Sequence, residues 1–364
     1  MKNIRTKLSQ LKNSAFGNRK DLERRLTKME SRFEKLKELT LPKQKELTKE
    51  SKTVNKRLAA VERRSKKPPF YNTTHVLGTY IDKNFSVEQQ EWFIERQVYR
   101  SLGYFPDLKN PKTFNEKTNW YKLNYRDPLI TDCIDKVKFK DFVTDTIGYD
   151  YVIPLYGTWD HPRQIDFSAL PKEFVLKSNW GSGSRHVLLV PDKDQLDLDR
   201  VKHLASNWVQ PWENVYYHTF DWGYKDIQPK ILAEKYVQNK HFDYRFFCFN
   251  GKSGFFYVRK EGPLGSGVIY QNYYDMSWKP IPLKQRSGNI PEPIEKPKNF
   301  EKMLELAETL SNRFPHARVD LIDTDDGVFA EELTFYNSSG TCRFNPPEWD
   351  EKLGEYFILP KANI

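Results

Sequence analysis

A lysine on an apolar segment, followed by a loop of Gly and Ser, is the first feature that could do chemistry. Lys177 lies in the segment EFVLKS, which predicts a strand, and Gly181, Ser182, Gly183 and Ser184 follow it. A strand lysine beside glycine-permitted backbone amides and Ser hydroxyls can bind anionic oxygens. The pattern predicts a flap over phosphates, and the alternative is an ordinary turn between two strands.

The order of these residues excludes two common nucleotide-binding loops. A P-loop places its lysine after the glycines, at the start of a helix, whereas Lys177 precedes them. A dinucleotide-binding loop needs a third glycine and then a helix. Here His186 takes that position, and the apolar segment VLLV predicts a strand.

Acidic residues near the C-terminus form a second candidate set. If residues 325–327 make a three-residue hairpin loop ending in a left-handed glycine, Asp320 lies opposite Glu332 and Arg318 lies opposite Thr334. Two carboxylates directly across an antiparallel pair repel each other. On a buried face they need a cation between them, and Mg²⁺ held together with substrate phosphates is the expected one.

The same register has two further consequences. Thr324 pairs with Val328, and the side chain of Glu331 points to the opposite face of the hairpin. A β-bulge would change this parity. The alternative is an exposed edge hairpin whose acids are solvated.

Composition limits the class of protein. The 364 residues include 24 Phe, 20 Tyr and 9 Trp, enough core for an enzyme-sized globular body. Three cysteines (Cys133, Cys248 and Cys342) are too few and scattered for a disulfide framework or thiolate metal site, which favours a reducing, cytosolic compartment. No run of about 18 apolar residues predicts a membrane span, and no signal peptide is predicted.

The basic charge belongs to the N-terminal segment. Residues 1–67 hold 22 Lys and Arg against 8 Asp and Glu, whereas the other 297 hold 37 against 41. Apolar residues such as Leu47, Val54, Leu58 and Val61 recur there at helical spacing, which predicts a coiled coil for self-association or a protein partner. The alternative is a basic helix on anionic lipid at the inner face of the membrane. No nucleic-acid-binding pattern is found.

The remaining chain is predicted to divide into a helical pre-grasp region at 68–168, a small lobe at 169–238 and a large lobe at 239–364. Predicted helices begin after Ser86, after Thr113, near Asp135 and after Asn299, and predicted strands cover 151–157, 173–178, 186–190, 231–237 and the arms around Asn250-Gly251. Antiparallel hairpins with flanking helices indicate an α+β fold rather than a doubly wound parallel sheet.

Six motifs occur in an order that resembles a known family. They are KTFNEKTNWYKL, DKVKFKDFV, LPKEFVLKSNWGSGS, DYRFFCFNGK, RVDLI and EELTF. Together they resemble the TupA-like ATP-grasp proteins, named for teichuronopeptide biosynthesis and found in bacterial surface-polysaccharide loci. The resemblance covers residues 93–354 and implies an ATP-grasp fold, in which two α+β lobes clasp ATP, with ATP and Mg²⁺ as cofactors.

The resemblance also implies roles for individual residues. Lys136 and Lys177 reach the phosphates beneath the flap of residues 181–184, and Arg318 reaches the γ-phosphate. Asp320 and Glu332 match the magnesium ligands. Position 334, where the family usually has an Asn, is Thr here, and Asn337 is the alternative. The residues that match the hinge strand at the adenine are Glu234, Lys235, Tyr236 and Val237, and Asp243 matches the ribose-binding acid.

The implied activity is that of a carboxylate-amine ligase that forms an acyl phosphate. The implied substrates are an amino acid or amine and a uronic acid of a polysaccharide or lipid-linked glycan. An ATP-grasp kinase that phosphorylates a glycan would use the same nucleotide site. A glycosyltransferase is the third hypothesis, because Asp197 and Asp199 form an Asp-x-Asp triplet, although their charged run also predicts a helix start.

Overall fold

The computed structural model describes residues 58–59, 70–237, 242–262, 268–285 and 287–364. They all belong to one compact unit that runs from Thr53 to Ile364. Apart from Leu58 and Ala59, the predicted N-terminal coiled coil therefore lies outside the described residues. Within the described residues, every helix is too short or too polar to span a bilayer.

Three helices open the described body: α1 (Phe70–Asn84), α2 (Val87–Leu102) and α3 (Phe114–Asn124). The predicted start of α2 is confirmed, because Ser86 and Gln89 form the reciprocal capping box. A second capping box, formed by Thr113 and Glu116, starts α3 as predicted. Helix α1 was not among the predicted helices.

Two short helices lead to the small lobe, α4 (Pro128–Ile134) and α5 (Lys138–Ile147). Helix α5 begins at Lys138, three residues later than expected. The Asp135 side chain accepts from the amide of Val137, and the amide of Lys136 donates to the carbonyl of Asn179, 3.0 Å away. The backbone at Lys136 is thus bonded to the small lobe instead of to a helix.

The small lobe is an antiparallel sheet with strand order β1-β4-β2-β3. Its strands are β1 (Leu155–Trp159), β2 (Phe174–Ser178), β3 (Val187–Val190) and β4 (Ile231–Glu234). Strand β1 belongs to this sheet although it precedes residue 169, the expected start of the lobe. Strand β4 ends at Glu234, three residues before the predicted end. Helix α6 (Leu198–Trp208) packs against the sheet.

Leu58 packs in the small lobe. Its side chain is fully buried in the core that also contains Ile165, Leu176 and Trp208. Leu58 was predicted to lie on the apolar seam of a coiled coil. The structure places it instead among the side chains that hold the small lobe together.

The large lobe is a six-stranded antiparallel sheet with strand order β10-β9-β5-β6-β7-β8. Its strands are β5 (Asp243–Phe249), β6 (Lys252–Glu261), β7 (Ile269–Tyr274), β8 (Pro280–Ile281), β9 (His316–Thr324) and β10 (Gly327–Thr334). The predicted hairpin at Asn250-Gly251 is confirmed, since both residues have positive φ between β5 and β6. The short α7 (Tyr216–Thr219), α8 (Phe300–Ser311) and α9 (Trp349–Tyr356) complete the α+β fold.

The last hairpin confirms the predicted pairing of Asp320 with Glu332 but reaches it by another route. Asp325 and Asp326 form a two-residue turn. Thr324 therefore pairs with Gly327, and its predicted pairing with Val328 is wrong. A β-bulge between Ala330 and Glu332 then shifts the register back by one residue. The two offsets cancel.

Candidate functional site

Glu234, the last residue of β4, binds two lysines. Strands β2 and β4 are neighbours, and the Nζ of Lys177 lies 2.5 Å from Oε1 of Glu234. The Nζ of Lys140, from α5, lies 2.9 Å from Oε2 of the same carboxylate and donates to the carbonyl of Ile153. The side chains of Lys177 and Glu234 are nearly buried. Three elements thus combine into one cluster of fixed charges.

The electrostatics of this cluster keep Lys177 and Glu234 charged. Burial alone would raise the pKa of Glu234, but the positive charges of Lys177 and Lys140 outweigh it and lower that pKa. Burial alone would lower the pKa of Lys177, but Glu234 raises it above its ordinary value. Lys140 differs, because burial outweighs Glu234 and lowers its pKa.

Lys136 connects the flap with the acids of the large sheet. Its Nζ donates to the carbonyl of Gly181 at 2.9 Å and lies 3.6 Å from Oε2 of Glu332. Tyr224 lies beside both elements, because burial and the charge of Glu332 raise its pKa and the side chain of Ser182 lowers it. Lys136 and the flap were predicted to meet the phosphates and Glu332 a magnesium ion, and the structure brings these groups together.

The flap itself is a short turn at the end of β2. Gly181 is buried, whereas Ser182 and Gly183 are exposed. A Cβ at position 181 would lie 2.6 Å from the Cβ of His186, so the close approach requires glycine. Gly183 has φ +65, the left-handed region that glycine favours. The side chain of Ser184 lies outside the described part of the structure.

Asp320 lies between two guanidinium groups in the large sheet. Arg318 binds it through two parallel hydrogen bonds, from Nε to Oδ1 and from Nη2 to Oδ2, each 2.7 Å long. The Nη1 of Arg245 lies 2.6 Å from Oδ2. Arg318 also donates to Thr334 and to Asn337, each at 2.9 Å. The same two arginines lie 3.5 and 4.0 Å from Oε1 of Glu332, so guanidinium groups supply positive charge between the paired acids, where the sequence predicts a magnesium ion.

Glu332 and Glu331 lie at the rim of this network. Burial would raise the pKa of Glu332, but Lys136, Arg245 and Arg318 lower it to about 2, so the carboxylate is ionised at neutral pH. Oε2 of Glu331 lies 3.8 Å from Nη2 of Arg245. The prediction that Glu331 points to the other face is therefore wrong, because the bulge turns it toward the same arginine.

The residues expected at the adenine follow the end of β4. The amide of Lys235 donates to the carbonyl of Pro154 at 2.8 Å, and Val237 packs beside Ile322 and Phe329 of the large lobe. Tyr236 lies between them in the same segment. These backbone positions join the two lobes as a hinge would, while the Glu234 side chain faces the lysines.

Asp243 is buried, with Nη1 of Arg259 lying 2.7 Å from its Oδ2. The structure therefore gives this carboxylate a structural partner on the neighbouring strand β6. Its role at a ribose stays a prediction.

Three residues of the site were not predicted: Lys140, Arg245 and Tyr224. Lys140 follows Lys136 by four residues, a spacing that could have indicated a shared helix face. Arg245 is the one basic residue within the aromatic strand DYRFFCF. Its pairing position opposite Asp320 comes from the contact between β5 and β9, which nothing in the local sequence reveals. No comparable local signal marks Tyr224.

The oxygen ligands at Asp320 and Glu332 fit a magnesium ion in chemistry. Glu332 is ionised and partly accessible, with 29% of its side chain exposed. Asp320 has both oxygens bound by arginines. A magnesium ion at Asp320 would therefore replace a guanidinium contact. The described residues contain no group of three or more His, Cys, Asp or Glu arranged to hold a metal.

Comparison with known proteins gives a family and several structural neighbours. The family TupA-like ATPgrasp matches residues 116–358, more than half of the chain. No curated protein matches this chain. Similar solved structures include a D-alanine–D-alanine ligase from Bacillus anthracis, at 20% identity and TM-score 0.35 over 56% of this chain and 57% of that chain.

Two further neighbours are more distant in sequence. The ATP-grasp ligase PsnB, complexed with a phosphomimetic variant of its minimal precursor, Mg and ADP, is 12% identical with TM-score 0.38 over 64% of this chain and 60% of that chain. The N5-carboxyaminoimidazole synthase of Aspergillus clavatus is 13% identical with TM-score 0.33 over 56% of this chain and 44% of that chain. The chain spans less than two thirds of each of these three neighbours. With the family matched over residues 116–358, the chain belongs to the TupA-like ATP-grasp family and has the ATP-grasp fold.

Proposed function

We propose that the protein is an ATP-dependent, Mg²⁺-dependent carboxylate-amine ligase that joins an amino acid or amine to a uronic acid of a bacterial surface polysaccharide. The observation that carries the proposal is the double contact of Lys136, which binds the flap carbonyl of Gly181 and lies 3.6 Å from Glu332. One ammonium group thus contacts both elements that would enclose a triphosphate.

The proposed reaction has two steps. A substrate carboxylate oxygen attacks the γ-phosphorus, the bond from that phosphorus to the β,γ-bridging oxygen breaks, and ADP leaves. The amine nitrogen then attacks the acyl carbon, a C–N bond forms, the C–O bond to phosphate breaks and the amine releases a proton. Proteins catalyse phosphoryl transfer mainly by positioning the groups and neutralising charge. In this proposal, Lys136, Lys177 and Arg318 supply that charge.

The adenine and ribose contacts follow from the hinge. In the proposal, the backbone of Lys235, Tyr236 and Val237 meets the adenine and Asp243 meets the ribose. Glu234 acts indirectly, because it keeps Lys177 protonated and oriented. Glu332 and Asp320 would hold Mg²⁺, which neutralises phosphate charge when bound.

The Asp-x-Asp triplet that suggested a glycosyltransferase lies at the start of a helix. Asp197 is the N-cap of α6, and its side chain accepts from the amide of Arg200 at 3.1 Å. Asp199 lies in the first turn of the same helix, where the helix dipole favours an acid. The triplet therefore has a structural explanation.

The test is release of ADP from Mg²⁺-ATP, screened over amino acids against uronic-acid acceptors, including lipid-linked glycans. A ligase requires both substrates and forms an amide detectable by mass spectrometry. A phosphorylated glycan formed without an amine would instead identify an ATP-grasp kinase. Lys177→Ala should abolish turnover. The control is Lys230→Ala, because Lys230 directly precedes β4 and pairs with the exposed Asp160.

We also propose a location for this chemistry: the cytoplasmic side of the membrane, with the basic N-terminal segment mediating self-association or contact with anionic lipid. The support is the excess of 22 Lys and Arg over 8 Asp and Glu in residues 1–67. Light scattering and co-sedimentation with anionic vesicles would compare the full chain with a variant lacking residues 1–52. Identical behaviour in both assays would refute this role.

A further inference from the structure

A buried polar relay connects the flap with the segment that follows α6. The Nδ1 of His186 lies 2.9 Å from Oγ of Ser178, and its Nε2 lies 2.8 Å from Oε2 of Glu213. All three side chains are almost inaccessible to solvent. The nucleotide site described above uses none of them, so this relay needs its own explanation.

The chemistry of the three groups sets the direction of the hydrogen bonds. An ionised carboxylate only accepts, so Nε2 of His186 carries the proton that bonds Glu213. In the neutral imidazole, Nδ1 then accepts, and the hydroxyl of Ser178 donates to it. In the protonated ring Nδ1 donates to the Ser178 oxygen instead, so the two side chains are bonded in both forms.

The relay is unsuited to hydrolysis. In a serine hydrolase triad, the serine is accessible to substrate and bonds Nε2, while the acid bonds Nδ1. Here the serine is fully buried, and the two partners are exchanged between the ring nitrogens. A structural role at the flap fits this geometry better than a nucleophilic one.

The position of the relay specifies what it can hold. Ser178 directly follows Lys177 at the end of β2, and His186 is the last residue of the turn that forms the flap. The two residues thus bracket the loop from both ends. The segment that carries Glu213 also carries Tyr224, and the side chain of Ser182 in the flap is close enough to Tyr224 to affect its pKa. This segment therefore bonds the base of the flap through Glu213 and lies near the exposed Ser182.

The packing leaves the imidazole little freedom. Its ring stacks on Trp208 with centroids 5.9 Å apart. Trp180, at the start of the flap, donates from Nε1 to the carbonyl of Trp208 at 2.8 Å. Gly181 lies against the Cβ of His186. A displaced imidazole would therefore move the backbone whose Gly181 carbonyl accepts from Lys136.

We propose that His186 is a positioning residue that fixes the flap over the nucleotide phosphates by bridging Ser178 and Glu213. The proposal rests on the proposed ATP-binding function. It extends that function by assigning the closed position of the flap to a buried hydrogen-bond relay in the small lobe, outside the groups that contact the nucleotide.

Two substitutions separate the two arms of the bridge. His186→Gln keeps a nitrogen near the position of Nε2 and retains the bond to Glu213. His186→Asn keeps a polar atom near Nδ1 and retains the bond to Ser178. Because each variant loses one buried hydrogen bond, each should raise the KM for ATP by about tenfold while changing kcat less. Hydrogen exchange of the amides at 181–185, with and without Mg²⁺-ADP, would report the flap directly.

Wild-type amides at 181–185 should exchange more slowly with Mg²⁺-ADP, and both variants should lose this protection. His316→Asn is the matched control, because His316 is a buried histidine of the large lobe whose Nδ1 bonds the carbonyl of Cys248. It should retain the wild-type KM and flap protection. Glu213→Gln keeps an oxygen acceptor for Nε2 and should resemble the wild type, whereas Glu213→Ala should resemble the His186 variants.

The outcomes distinguish the two proposals. If wild-type protein shows no nucleotide-dependent protection of the flap, the proposed function is overturned. If the wild type is protected and both His186 variants keep that protection and the wild-type KM, the role of His186 is overturned. If His186→Asn and His186→Gln unfold, Glu213→Ala decides, since protected amides at 181–185 in that variant would overturn the relay.

Discussion

Replacing Glu234 with Gln would leave two ammonium groups, those of Lys177 and Lys140, without their shared counter-charge. The distances to the carboxylate are 2.5 and 2.9 Å, and the Glu234 side chain is 5% exposed. Removing one partner of a buried ion pair costs about 3–5 kcal/mol. The expected loss in the free energy of unfolding is therefore about 3–5 kcal/mol for Glu234→Gln, although Gln has nearly the same shape.

The matched control is Glu308→Gln. Glu308 lies 2.7 Å from Lys252, a comparable distance, but the Lys252 side chain is 81% exposed. Such a surface pair contributes about 0–1 kcal/mol. Urea denaturation of both variants at neutral pH measures the difference. If Glu234→Gln loses no more stability than Glu308→Gln, the interpretation of Glu234 as the support of both lysines is refuted.

The pH dependence of the same comparison gives an independent check. Because the pKa of Glu234 is lowered in the folded state, its contribution to stability is present above its ordinary value of 4.5 and is lost as the pH falls. The gap between wild type and Glu234→Gln should therefore narrow below pH 4.5. A gap that stays constant with pH would instead indicate a change in packing.

Three further predictions concern the small lobe, the flap and the acidic rim. Leu58→Ala should lower the free energy of unfolding by about 2–5 kcal/mol, measured by urea denaturation. In the same assay, deletion of residues 1–67 should destabilise the protein more than deletion of residues 1–52. Equal effects of the two deletions would contradict the burial of Leu58. Gly181→Ala should weaken ATP affinity about tenfold, measured by calorimetry, because its Cβ would lie 2.6 Å from His186 and the flap must move; unchanged affinity would refute the steric argument. Glu332→Gln should be less stable than wild type by up to about 3 kcal/mol at pH 7. Because the pKa of Glu332 is lowered to about 2, this difference in stability should shrink as the pH falls from 4.5 toward 2. A difference that grows over this range would contradict the lowered pKa.

Local sequence patterns were sufficient to predict most of the individual helices and strands. The capping boxes at Ser86 and Thr113 and the Asn250-Gly251 turn depend on contacts between residues close in the chain, so their predictions are confirmed. Strands β7 and β8 were not predicted. The sequence IYQNYY of β7 mixes polar and aromatic residues without a clear alternation, and it becomes a strand by pairing with β6.

The contacts of the candidate site likewise include some that the sequence indicated and some that it did not. Lys136, Lys177, Arg318, Asp320 and Glu332 were identified from motifs in the sequence, and the structure brings them into one charged cluster. No motif indicated which oppositely charged groups surround these residues. Arg245 contacts Asp320 across the sheet, and its strand lies far from the acids in the chain, so no local pattern predicted this contact.

By itself, the sequence determined the α+β class and the order of the motifs, and it predicted the family and the residues of a nucleotide site. Tertiary structure decided the pairing of β5 with β9, the compensation of Asp320 by arginines and the burial of Leu58 in the small lobe. The physical reason is the separation along the chain between the groups that interact. Caps and turns depend on neighbours in the chain, whereas the protonation and orientation of a buried charge depend on whichever distant groups the packed sheets bring against it.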